Sequence, residues 1–388
     1  MGNISNGVLY GVFAFSAVAA GPLLNKIGPR YTLLFGITGY PVYQGAMWYF
    51  DKNGLLWYPI FAGAYLGLSA GCLWTTAVFT ATAYPEERDK GRWRSIQWSA
   101  NVGGSAVGAA VALGISWDSH LEGVPHSVYA VFIVLQCLST GIAFLVKQPE
   151  ALRRCDGTAL ATFNPMSLVD VLKITGGLLV DWRILMLVPC MVAPEMFFPF
   201  QASMNAYAFN LRTRVLNSML NNLIQIPTCL FLGWILDNEK LGTRKRRACF
   251  GITFVAVWIL GAYVAQTVLY VLGTLTNEPR KTAAIGGLFV GILSAGTAIA
   301  FGVDATQQPY ENENAGYFAL STICWPILFY IVWKCTTDTN YLTEEGVVAP
   351  IHVRKELALE GVAVTDEVDS VKTNEREKDG VIGGAEEV

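Results

Sequence analysis

Charge is scarce in this sequence. Only 15% of its 388 residues are Asp, Glu, Lys or Arg, against about 25% in an ordinary soluble domain. That shortage excludes a solvated surface for most of the chain. Histidine is scarcer still: His120, His126 and His352 all lie outside the apolar blocks, which argues against a His-based metal centre within a membrane. The eight cysteines form no CxxC pair. Cys72, Cys137, Cys190, Cys229, Cys249 and Cys324 sit inside apolar blocks and read as small packing residues. No Walker loop and no His-Glu-x-x-His occurs, which argues against an ATP-driven pump on this chain and against a zinc protease. The reading is a non-enzymatic chain with no cofactor and no metal. Bases are scattered through short loops, so nucleic acid has no platform.

What is present is apolar sequence in long blocks. Hydrophobic residues make up 53% and mean hydropathy is +0.40. Ile184 to Ala206 holds one acid and no base, and 283–303 holds no charge. A bilayer core about 30 Å thick takes roughly 20 apolar residues per helix. The alternating segments of a β-barrel are missing. The blocks predict helical spans at 7–25, 32–50, 57–83, 95–117, 127–147, 183–208, 215–236, 248–275, 283–303 and 315–334. The fold class is therefore all-α, a polytopic membrane bundle with the lipid bilayer as its first partner.

Loop charge orients these spans. Basic loops occur at 26–31, 84–94, 147–182 and 237–247, and they alternate with base-poor loops at 51–56 and 118–126. Arg212 and Arg214 in loop 209–214 are the exception. The basic loops are expected inside and Met1 outside. The pattern breaks once. Span 248–275 leaves a basic loop and runs into Asn277-Glu278-Pro279-Arg280-Lys281, which is basic too. Twenty-eight residues are too few to cross twice at about 1.5 Å per residue. Either the bias misleads there, or a segment of about one helix is missing within 248–275. The acidic stretch 336–388, with thirteen acids and five bases, reads as a disordered cytoplasmic extension.

Two basic loops look alike. Gly21-Pro22-Leu23-Leu24-Asn25-Lys26-Ile27-Gly28-Pro29-Arg30 and Gly233-Trp234-Ile235-Leu236-Asp237 with Gly242-Thr243-Arg244 share one order: Gly, apolar residues, Asn or Asp, then a Gly-led turn and bases. Such a loop can lock onto a neighbouring helix end, or it is simply a generic inside loop. Two copies suggest an internal repeat, a transporter feature. The gating candidates are Gly21, Asn25, Lys26, Gly28, Arg30, Asp237 and Arg244. Gly63, Gly67 and Gly71 are spaced for close helix contact. Glu195, between Pro194 and Pro199 in an apolar span, is the sharpest site candidate. An acid at membrane depth either couples an ion or proton, or is a hydrogen-bonded packing group. Gln97, Asn101, Gln201 and Asn205 either line a cavity for a polar solute or join helices.

Several stretches carry a resemblance. They are Leu66-Gly67-Leu68-Ser69-Ala70-Gly71-Cys72-Leu73-Trp74-Thr75, Tyr84-Pro85-Glu86-Glu87, Lys90-Gly91-Arg92, Asn101-Val102-Gly103-Gly104, the segment Asn205 to Asn217 with its Arg-Thr-Arg, Leu275 to Lys281, and Ser294-Ala295-Gly296-Thr297-Ala298. With these, residues 1–335 resemble the fungal branch of the Unc-93-like, ion channel regulatory protein-like family within the major facilitator superfamily. The resemblance implies twelve helices in two lobes, so about ten present imply a truncated chain. The first helix is expected missing before 1–147 and one more within 248–275. Asn25 replaces the aspartate usual in the first loop. The lobes are expected at 1–147 and 183–335, joined by a cytoplasmic linker at 148–182 and followed by the tail 336–388. The leading function is secondary transport of a small solute by alternating access. The alternative is a non-transporting regulator or chaperone with a membrane-protein partner, which the family's founder suggests.

Overall fold

The computed structural model describes residues 2–116, 126–147, 152, 168–258, 264–306, 308–341, 344 and 347–359. Regular structure among them is entirely helical. Eight helices are long and apolar enough to cross a membrane, so the chain is an integral multi-pass membrane protein.

The first of these, α1 (Gly2–Asn53), is two helices folded into a hairpin. Gly28 has φ 79° and ψ 167°, a left-handed φ that an L-residue adopts only at a cost. Pro29 behind it favours the extended ψ. The chain therefore reverses, and Tyr43 Oη donates to Asn6 Oδ1 at 2.9 Å. The two limbs match the expected spans 7–25 and 32–50. Helix α2 (Trp57–Ala83) packs on both. A Cβ on Gly63 would lie 2.9 Å from the Ser5 carbonyl oxygen, and one on Gly67 or Gly71 would strike the first limb at Leu9 or Ser16. The glycine triple is thus a seam of backbone contact. Gly67-Leu68-Ser69-Ala70-Gly71 also has the Gly-x-Ser-x-Gly spacing of a hydrolase. Here it is helix interior, with Ser69 buried and donating to the Leu66 carbonyl, so it forms no nucleophile elbow.

Helix α3 (Lys90–Ser116) runs back beside α2, and α4 (His126–Ala143) follows. The expected linker 148–182 contains a helix, α5 (Leu168–Val180), packed against the C-terminal half. The span 183–208 is interrupted: α6 (Trp182–Val192) ends in a 3-10 turn at Ala193–Glu195 before α7 (Phe197–Ala208). Pro194 and Pro199 lack the N–H groups that a continuous helix needs. Helix α8 (Leu211–Asp237) lies antiparallel to α3.

The span 248–275 requires correction. It is described as two short helices, α9 (Arg244–Trp258) and α10 (Val264–Leu275). The Arg244 Nη2 atom donates to the Gly273 carbonyl at 3.4 Å. The start of α9 and the end of α10 therefore share one end of the bundle. The segment enters and returns on the same side, as a pair of half-length helices. At about 1.5 Å per residue neither reaches across a bilayer core. Basic sequence at both ends accords with both ends lying on one side. Residues 259–263 lie outside the described residues.

Helix α11 (Pro279–Ala305) then runs outward along the first limb of α1, and α12 (Tyr310–Cys335) runs inward. Counting α1 twice gives nine passes plus the returning pair among the described residues, in place of the ten single spans. The final two helices keep their expected sense. Part of the expected extension 336–388 is packed as well: Val348 and Ala349 are buried and α13 (Ile351–Leu359) follows. Its acids there meet partners on the inner face, described below. Residues 360–388 lie outside the described set.

This orientation is testable. Arg92→Cys should react with a membrane-impermeant maleimide only after permeabilisation, and Lys52→Cys should react in intact cells. Both positions are exposed. Labelling of Arg92→Cys from outside would invert the topology.

Candidate functional site

The two halves meet at a polar lattice on the inner end. The carboxylate of Asp237, closing α8, accepts from the backbone N–H of Gly91 at 3.0 Å and from that of Arg92. These are free N–H groups of the first turn of α3, where negative charge is favoured. A Cβ at Gly91 would collide with Asp237. The Lys90 Nζ atom donates to the Gly273 carbonyl at 2.9 Å and to Asn277 Oδ1 at 2.7 Å. Arg244 Nη1 lies 2.8 Å from Glu87 Oε1, with both side chains under 10% exposed. Glu87 also accepts from the Thr339 hydroxyl and the Asn340 N–H. Glu344 accepts from Thr276 and from the Asn277 N–H. The segment after α12 thereby straps the seal.

Of the gating candidates, Asp237 and Arg244 join this lattice. The first loop does not. Gly21 lies against the Ala283 carbonyl, Arg30 donates to the Val146 carbonyl at 2.6 Å, and Lys26 is exposed. Gly28 makes the hairpin turn. The Asn25 amide is buried with no hydrogen bond. Glu87, Lys90 and Arg94 were not among the expected site residues: Lys90 and Arg94 read as positive-inside charge of loop 84–94, and Glu87 only as part of the stretch Tyr84 to Glu87. Their spacing i, i+3, i+7 places them on one helical face, which was the available signal.

Above the seal lies a cavity of about 290 Å³ lined from both halves, by Tyr10, Trp74, Arg94 and Asn101 on one side and Glu195, Asn222 and Gln225 on the other. It shares Trp74, Asn101, Ser105 and Asn222 with a wider groove of about 810 Å³. That groove follows Gly104 to Ala112 of α3 and Arg214 to Ser218 of α8, the outer halves of both helices. The opening therefore faces outward. Glu195 sits in the 3-10 break, half-buried, and lines the cavity beside α11. Asn101 lines both spaces. Gln97 lines the groove and accepts from Arg94 at 2.6 Å. Asn205 instead accepts from Asn217 across α7 and α8 at 3.0 Å. Neither Asn205 nor Gln201 lines these two spaces.

A helical bundle with a central cavity between two halves, sealed at one end, is the architecture of the major facilitator superfamily. The superfamily transporter FucP, in its outward conformation, superposes with TM-score 0.58 at 13% identity, covering 87% of this chain and 90% of that one. The family described as "Ion channel regulatory protein UNC-93" matches residues 1–286. An uncharacterized membrane protein of Schizosaccharomyces pombe is 31% identical over 363 residues, 82% of this chain and 74% of its own length. UNC93-like protein 1 of Arabidopsis thaliana is 24% identical over 385 residues, 87% and 84% respectively. The chain belongs to the UNC-93 family.

Proposed function

We propose that the protein is a secondary transporter that moves a small solute by alternating access, drawn here in an outward-facing state. The observation that carries this reading is the pairing of an outward-opening cavity with an inner seal made of bonds between the two halves. Such bonds can break and reform as the halves rock. Glu195 is the proton-coupling residue in this reading. Its proline-broken helix lines the cavity, and a carboxyl group there can take up and release a proton. The lobes at 1–147 and 183–335 are the moving bodies.

Reconstituted protein in proteoliposomes, assayed with labelled sugars, amino acids and organic acids, should show saturable uptake of one class. The family description supports a second reading, regulation of a membrane-protein partner. Absence of flux, together with stoichiometric co-purification of a channel from native membranes, would favour that second reading over transport.

A further inference from the structure

Arg94 is the feature that neither the fold nor the inner seal accounts for. It lies one helical turn beyond Lys90 on α3, is 6% exposed, and lines the cavity. Its hydrogen bonds go to two neutral amide oxygens, Gln97 Oε1 at 2.6 Å and Gln266 Oε1 at 3.0 Å. A guanidinium has five N–H donors and stays charged, so three donors remain beyond these two bonds. No carboxylate lies within 4 Å of it among the described ion pairs. Buried charges are normally paired, because desolvating a lone ion is costly. Beside it, the Gln266 amide nitrogen is buried without a hydrogen-bond partner. The immediate surroundings of Arg94 thus hold a buried positive charge and spare donors with no carboxylate in contact among the described ion pairs.

We infer that the cavity binds a small organic anion, a monocarboxylate with an apolar or aromatic body, whose carboxylate supplies the missing counter-charge of Arg94. A planar carboxylate matches the guanidinium fork and takes two parallel hydrogen bonds. Trp74, Trp98, Phe13 and Phe289 line the same space and suit a flat or aliphatic body. The volume of about 290 Å³ sits at the small end of ligand pockets, roughly 300–1,000 Å³. Glu195 is the other charged residue of the lining. A carboxylate solute entering with one proton on Glu195 moves no net charge. This inference rests on the transport reading for its physiological meaning, but not for the binding site itself.

The test is a titration of the purified full chain in detergent with phenylacetate and hexanoate, each set against its neutral amide, read by thermal shift and calorimetry. The two carboxylates should bind and raise Tm, and the amides should not. Arg94→Gln should weaken carboxylate binding by about thirtyfold or more, the effect of truncating a buried charge pair. Arg94→Lys, which keeps the charge but loses the fork, should fall between. Size exclusion shows which variants are folded. If Arg94→Gln does not fold, the lysine variant and the acid-against-amide comparison still decide. Equal binding of acid and amide, unchanged binding in folded Arg94→Gln, or no binding of either acid would overturn the inference. Carboxylate binding without flux in proteoliposomes would leave the inference standing and end the transport reading. Flux of a neutral or cationic solute without carboxylate binding would do the reverse.

Discussion

Arg244→Met alone should destabilise the protein by about 3–5 kcal/mol, and the double variant Glu87→Met with Arg244→Met should recover much of that loss. Both side chains are under 10% exposed, and their ionised atoms lie 2.8 Å apart. Removing the guanidinium leaves the buried carboxylate without its ion-pair partner, held by the Thr339 hydroxyl and the Asn340 N–H beside the Lys90 ammonium. Removing both charges takes away the ion pair together, Lys90 keeps its bonds to the Gly273 carbonyl and Asn277, and the methionines fill similar space. Denaturant unfolding in detergent measures all three proteins. Function should separate from stability here. The double variant, though folded, lacks a bond between the halves at the inner end, so its outward-facing state is favoured less. Impermeant thiol labelling of a cavity position such as Asn101→Cys from the inner side should then rise relative to wild type. Equal losses in the single and double variants would show that the pair does not act as a unit.

Much of the fold was legible because hydrophobic length and loop charge are local properties. The limbs of α1, and helices α2, α8, α11 and α12, fall where apolar blocks do. The returning pair α9 and α10 was not legible. Twenty-eight apolar residues between two basic loops have the composition of one span, and what distinguishes them is tertiary. Val264 to Thr274 are all buried, and the last carbonyls of α10 are met by Lys90 of α3, Arg244 of α9 and Asn340 beyond α12. The loop charges had shown only that a single crossing conflicts with the inside bias, leaving either a misleading bias or a missing segment. They could not say that the start of α9 and the end of α10 lie together, with the Arg244 side chain on the Gly273 carbonyl. The site divides the same way. Glu195 stood out because an acid in an apolar run is visible from one sequence. Arg94 did not, because it is counted with its loop until α3 is known to begin at Lys90. That start is capped by Asp237, 146 residues away in sequence. The strap after α12 was hidden for a related reason: acids such as Glu344 look solvated until the N–H of Asn277 is placed beside them.

Glu195→Gln should abolish concentrative uptake while leaving exchange of solute across the membrane intact. The amide has nearly the shape of the carboxyl and keeps one of its oxygens. It also keeps the 3-10 break, which Pro194 and its neighbours impose. What it cannot do is take up and release a proton. In the proposed cycle, wild-type uptake is driven by acid outside, because protonation of Glu195 from the outer side accompanies solute entry and deprotonation to the inner side resets the site. The sign follows: lowering external pH at fixed internal pH should raise wild-type accumulation and leave the variant unchanged. In the variant, internal solute should stop at the external concentration, since a gradient that does not interact differently with the two states cannot shift them. Labelled solute should still exchange for unlabelled, because the empty and loaded halves still rock. Variant vesicles that accumulate solute above the external level, with wild-type dependence on pH, would reduce Glu195 to a packing group between α6, α7 and α11. Loss of exchange along with uptake would point instead to direct contact between Glu195 and the solute, and a Glu195→Asp variant that restores pH dependence would return the role to the proton.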